Sequence, residues 1–203
     1  MPFNPNHEML ERMIRYICLL FFCGLICFNP AVMAEQRPYD VIETYGEIEI
    51  RQYPTIMAAS VIEEGDRKDA ASAAFRTLFN YISGENATGE KIDMTAPVSQ
   101  QKKEDNRWEV WFFMPTHFTQ LKLPQPINQR VRIRELESTA MATITFSGRG
   151  RNANLLKHET ILRRFLEKKS ISFTGDAIYS FYDPPFMPWF LRRNEVAFTV
   201  DLP

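Results

Sequence analysis

Thiols are missing from most of this chain. Only three cysteines occur in 203 residues, Cys18, Cys23 and Cys27, and all fall within the first thirty. From residue 35 onward there is no cysteine to form a disulfide, a thiolate metal site or a sulfur nucleophile, so the core there must hold without covalent help. Glycine is scarce too, with eight in the whole chain, and no Gly-rich phosphate loop, nucleophile elbow or His-Glu-x-x-His pair occurs. A net charge of -1 gives no electrostatic reason to expect nucleic acid. The carboxylates Glu63, Glu64 and Asp66 read as a solvated turn rather than a catalytic dyad. These absences together argue against an enzyme.

No apolar run is long enough to span a bilayer. Tyr16 to Phe28 offers about thirteen residues, against the ~20 that a spanning helix needs. Arg12 and Arg15 precede that run, Asn29-Pro30 ends it, and Val32-Met33-Ala34 supplies small residues, which is the layout of a secretory signal peptide cleaved after Ala34. Residues 1–34 are therefore expected to be a leader and 35–203 one exported domain, periplasmic or secreted and monomeric. The residues before the three cysteines, Ile17, Phe22 and Ile26, are too large for a lipoprotein signal.

What is present is a worn internal repeat. Ile50-Arg51 and Ala59-Ser60-Val61 align with Ile133-Arg134 and Ala142-Thr143-Ile144 at a shift of 83, and Glu109-Val110-x-Phe112 aligns with Glu195-Val196-x-Phe198 at a shift of 86. Two copies point to two modules, about 39–115 and 129–203, closed around a pseudo-two-fold axis; a solenoid would need more units. Period-2 alternation predicts two strands in Tyr39 to Ile62, joined near Tyr53-Pro54. Ala71, Ala74, Phe75, Leu78 and Ile82 at helical spacing predict a helix over Asp69 to Ile82. Lys91 to Gln100 and Trp108 to Met114 read as strands. The second module repeats the plan: strand material from Val131 to Phe146, a helix over Asn152 to Lys169, and strands at Ala177 to Tyr182 and Glu195 to Asp201. Between these last two, Asp183 to Arg193 is apolar, carries three prolines and has no regular pattern, as functional loops often do.

Lys91-Ile92-Asp93-Met94-Thr95-Ala96-Pro97-Val98, Phe146-Ser147-Gly148 and Arg193-Asn194-Glu195-Val196 make the chain, from about Tyr39 to Leu202, resemble the SOUL haem-binding protein family, here as a bacterial, exported member. The resemblance implies an α+β fold: a distorted antiparallel β-barrel of about eight strands flanked by two helices, from two pseudo-symmetric β-α-β-β modules. It also implies haem or another tetrapyrrole as ligand, without catalysis, for transport, buffering or scavenging. A histidine that some animal members place between the Arg and Tyr of the second strand is replaced by Gln52 here. The groove that other members use along the first helix and the late loop maps to Ala71–Asn80 and Asp183–Arg193.

A haem site needs apolar walls, basic groups for the propionates and optionally an axial donor. Phe75, Phe79, Phe186, Met187 and Trp189 are the candidate walls, and Arg76, Arg192 and Arg193 the candidate propionate partners. Phe75 belongs to the helix's apolar stripe, where the ordinary role is core, whereas Phe79 lies at its edge. His158, on the apolar face of the second helix, is the candidate metal ligand; a histidine so placed is more commonly a boundary residue bonded to a neighbour. Two other readings remain open: an effector-binding module for non-tetrapyrrole small molecules, and a protein or membrane interaction module using the 184–193 loop.

Overall fold

The alternating segments become nine strands in one sheet. The computed structural model describes residues 34–201, so the expected leader, apart from Ala34, lies outside the described residues with its three cysteines. The elements run β1 (Asp40–Tyr45), β2 (Ile48–Tyr53), β3 (Ile56–Glu64), α1 (Arg67–Ile82), β4 (Val98–Lys103), β5 (Arg107–Phe113), β6 (Arg132–Leu136), β7 (Thr139–Phe146), α2 (Asn152–Lys169), β8 (Phe173–Phe181) and β9 (Asn194–Val200). Every pairing is antiparallel, in the order β1-β2-β7-β9-β8-β4-β5-β3-β6. Without β1 this order reads the same from both ends when β2, β3, β4 and β5 are exchanged for β6, β7, β8 and β9. The repeat in the sequence is thus a two-fold plan in the sheet. Its axis passes between β4 and β8, where the Ser99 and Ser180 hydroxyls hydrogen-bond at 2.8 Å.

The architecture is α+β as expected, with two differences. β1 and β6 end the sheet unpaired with each other, so the barrel is open, and there are nine strands rather than eight. The extra one is β1. Tyr39 to Ile62 holds three strands instead of two, because Gly46 turns the chain at φ +66°, a conformation glycine adopts without strain. With β1 left aside, each module is β-β-α-β-β rather than β-α-β-β. Lys91 to Pro97 is not strand; Ala96 instead exchanges backbone hydrogen bonds with Glu35 and Arg37 of the segment before β1.

Both helices cover the same face of the sheet. Alternate residues of the strands point to that face: Ala59, Val61, Val110 and Phe112 meet Ala74 and Leu78 of α1, while Ala142, Ile144, Val196 and Phe198 meet Leu155, Leu162 and Leu166 of α2. Each fully buried leucine contributes roughly 1.5–3 kcal/mol. Asp66 caps α1, accepting from the backbone N–H of Lys68 at 2.9 Å. The two helix N-termini meet where Arg67 donates to Asn152 Oδ1 at 2.6 Å and to the Gly150 carbonyl at 2.7 Å. Gly150 must be glycine, since a Cβ there would lie 2.4 Å from the Phe181 ring. No described helix is long and apolar enough to cross a membrane.

Candidate functional site

The apolar loop between β8 and β9 is exposed yet held in shape. Phe186 is 85% exposed, and Trp189, Phe190 and Leu191, which form a single 3-10 turn, are each more than half exposed. Water normally selects against such a cluster, and contiguous apolar surface of this kind marks a contact site. The loop is pinned from both sides. Arg192 donates to the carbonyls of Met187, at 2.8 Å, and Pro185. Gly148 N–H donates to the Trp189 carbonyl at 3.0 Å, tying the loop to the turn that precedes α2. Met187, expected as a wall, is half-buried behind this surface.

His158 lies in that neighbourhood. Its ring stacks on Phe146, with centroids 3.7 Å apart and planes within 5°, and Phe146 ends the strand that leads to Gly148. Nδ1 lies 2.7 Å from the Asn154 carbonyl, which can only accept, so Nδ1 carries a proton and Nε2 is the nitrogen not engaged in this bond. This is the half-buried boundary histidine, bonded to a neighbour, that the helix pattern suggests. Arg149 was not read from the sequence as a site residue. Its guanidinium is 5.8 Å from the Trp189 ring centroid, and the Ser147 to Arg151 turn immediately before a helix was the available clue.

Phe75 and Phe79 form a second exposed pair on α1. Their rings stack at 6.0 Å, and Phe75 also meets the edge of Phe112 at 5.2 Å. Phe75 is 40% exposed, so it leaves the apolar stripe for the surface, while Phe79 is exposed as its edge position implies. Arg76 between them is exposed and forms no ion pair among the described residues. The two groups share no hydrogen bond or ring contact among the described residues. What joins them is the helix junction, where Arg67 of α1 grips Gly150 and Asn152 beside the loop's anchor.

Arg193 is committed elsewhere. It donates to Glu195 Oε1 through Nε at 3.1 Å and Nη2 at 2.6 Å, and its guanidinium lies 3.9 Å over the Tyr182 ring. Glu195 Oε1 also takes Arg51 at 3.0 Å, and Oε2 takes the Tyr182 hydroxyl at 2.7 Å. Burial, reinforced by the Glu195 charge, holds the Tyr182 hydroxyl well above the usual tyrosine range. This network lies on the sheet face away from the helices. A separate cleft of about 410 Å³ near Ile56, Phe118 and Glu135 borders none of the candidate residues. No group of three or more His, Cys, Asp or Glu among the described residues is placed to hold a metal ion.

Known proteins bear on this arrangement. The chain is 30% identical to Heme-binding protein 1 of Mus musculus over 174 residues, which cover 80% of this chain and 90% of that protein. It is 29% identical to Heme-binding protein 1 of Sus scrofa, over 63% of this chain and 70% of the relative. Among solved structures, the EcmrR C-terminal domain superposes with a TM-score of 0.59 at 13% identity, covering 80% of this chain and 98% of that one, a likeness of fold alone. The family model described as SOUL heme-binding protein matches residues 34–199, nearly the whole described domain, and the chain belongs to that family.

Proposed function

We propose that this protein binds a tetrapyrrole, haem or a porphyrin, reversibly and non-covalently on the exposed aromatic surface beside the N-terminus of α2. The observation that carries this reading is the pinned loop with Phe186, Trp189, Phe190 and Leu191 turned to solvent. A flat macrocycle gains by covering such surface, at roughly 25 cal/mol per Å² removed from water. Family membership and the names of the curated relatives support the same ligand class.

The residues present suit that ligand chemically. Trp189 and its neighbours would cover one face, Phe75 and Phe79 offer a second apolar wall, and Arg149 and Arg76, which form no ion pair among the described residues, would meet propionates. Arg192 shapes the loop, and Arg193 serves the Glu195 network. If haem is the ligand, its iron would take a nitrogen donor, and His158 Nε2, whose ring partner Nδ1 is engaged by the Asn154 carbonyl, would be the group to supply it. The protein acts as a binder, for transport, buffering or scavenging, rather than as a catalyst. We place it outside the cytoplasm on the strength of the leader-like residues 1–34; the mass of the protein recovered from its host would show cleavage after Ala34 or its absence.

Titration of the cysteine-free domain with haemin and with an iron-free porphyrin tests the binding reading. Both are expected to quench tryptophan fluorescence at micromolar concentration, and Trp189→Ala to weaken both about tenfold, the loss of one aromatic anchor. Axial ligation makes haemin the tighter ligand, and His158→Ala removes that advantage. No spectral change with either compound would refute the proposal.

A further inference from the structure

The face of the sheet away from the helices has a surplus of hydrogen-bond donors. Four buried side-chain polar atoms among the described residues have no partner: Arg37 Nε, Trp111 Nε1, Arg134 Nε and Thr143 Oγ1. Trp111, Arg134 and Thr143 point from their strands to that face, opposite to the residues that meet the helices. Arg37 comes from the segment before β1 and is laid across it, its guanidinium sandwiched 4.0 Å from the Tyr53 ring centroid and 4.7 Å from that of Phe113. Three of the four are N–H groups that can only donate. Native proteins rarely leave such groups unpaired.

Two of them share one space. Arg37 and Trp111, 9% and 4% exposed, line a small hollow of about 20 Å³ with Ser99, Ser180, Tyr182 and Glu195. The one acid there has its oxygens occupied by Arg51, Arg193, Thr145 and Tyr182. Ser99 and Ser180 bond each other, which uses one hydroxyl hydrogen and leaves the other to point outward. Arg37 forms no ion pair among the described residues, and burial pulls its guanidinium down to about 10. Arg51 and Arg193 share Glu195, and Arg51 also binds Glu49, whereas no carboxylate among the described residues pairs with the Arg37 guanidinium.

We propose that this hollow is a binding site for a chloride-sized monoanion, held between the Arg37 guanidinium and the Trp111 indole N–H and completed by a serine hydroxyl. The volume admits one water-sized body, which excludes sulfate, phosphate and carboxylates. A water would have to donate as well as accept, with only hydroxyl oxygens to donate to once the Glu195 oxygens are taken, and would bring no counter-charge to Arg37. A halide only accepts, and it neutralises Arg37. The site lies across the sheet from the tetrapyrrole surface and does not depend on it.

Crystals of the domain soaked in bromide test this directly. An anomalous scattering peak between Arg37 and Trp111 is expected. In solution, the melting temperature should rise by several degrees as bromide replaces gluconate at constant ionic strength, and saturate as a single site does. Arg37→Met and Trp111→Phe should each remove the anion dependence. Equal melting temperatures in the two salts, with no peak in the hollow, would mean that only water sits there and would overturn the proposal. An anion dependence that survives in both variants would place the site elsewhere and overturn it equally.

Discussion

Arg51–Glu195 and Arg134–Glu109 hold the same place in the two-fold plan. Each joins an arginine of one module to a glutamate of the other across one intervening strand, β7 for the first pair and β3 for the second. The repeated Ile-Arg and Glu-Val-x-Phe of the sequence are these partners. Their surroundings differ. The first pair is sealed, with side chains 2% and 3% exposed, under Tyr39, whose ring lies 4.1 Å from the Arg51 guanidinium. In the second, Glu109 is buried but Arg134 is 39% exposed, and so is much of Lys103, its other partner. Symmetry conserves the contact, and the segment before β1 changes what the contact is worth.

The largest expected effect follows from removing each carboxylate. Glu195→Gln leaves the buried Arg51 with Glu49 as its remaining carboxylate and takes from the partly exposed Arg193 its ion pair, and should cost about 3 kcal/mol in urea unfolding. Glu109→Gln releases Arg134 and Lys103 into water and should cost about 1 kcal/mol or less. Equal losses would show that both sites are equally wet and would erase the distinction drawn from burial.

Alkaline titration sharpens the comparison. Tyr182 and Tyr53 beside the sealed pair are held above the usual tyrosine range, Tyr182 by burial and then Glu195, and Tyr53 by burial foremost, against the pull of Arg51. Away from both pairs, burial pushes Tyr81 up to about 12. A raised value means that the folded state keeps its proton longer than the unfolded chain, whose tyrosines ionise near pH ~10. Stability from these groups is complete below pH ~10 and is lost as pH rises, through about 12 for Tyr81. Thermal melts across this range should decline together with the appearance of tyrosinate absorbance. In Glu195→Gln the Tyr182 share should shrink, because one of its two main causes is gone.

Local sequence carried the elements better than it carried this network. α2 begins and ends where the 3.6-residue pattern places it, and the near-repeat located β2, β3, β5, β6, β7 and β9 in matching order. β1 was not separable from β2, because its residues are exposed or half-exposed on both sides and show no burial alternation for a period to detect. Lys91 to Gln100 reads as one strand, but the strand begins at Val98, and Ala96 bridges instead to Gln36 before β1, a partner no local window contains. At the candidate site, the late loop was legible from its prolines and aromatic residues. The roles of Arg192 and Arg193 were not, since a guanidinium's partner depends on which carbonyl or carboxylate the fold brings near. Arg51 and Glu195 are 144 residues apart, and their meeting is a property of the sheet order.

Tyr39→Ala makes the smallest change and asks the most specific question. The ring contributes a cation–π contact to Arg51 and keeps water from it, so its loss should cost about 0.5–2 kcal/mol. The more informative quantity is the coupling. If the sealed pair is costly to break because Arg51 cannot hydrate, then in the Tyr39→Ala background Glu195→Gln should cost less than in the intact protein, by about 1 kcal/mol in a double-mutant cycle. Glu109→Gln, at the other pair and without contact to Tyr39, should cost the same in both backgrounds. Additivity at Glu195 would mean that the aromatic cover is incidental and that Arg193 and Tyr182 alone make the first pair different from the second.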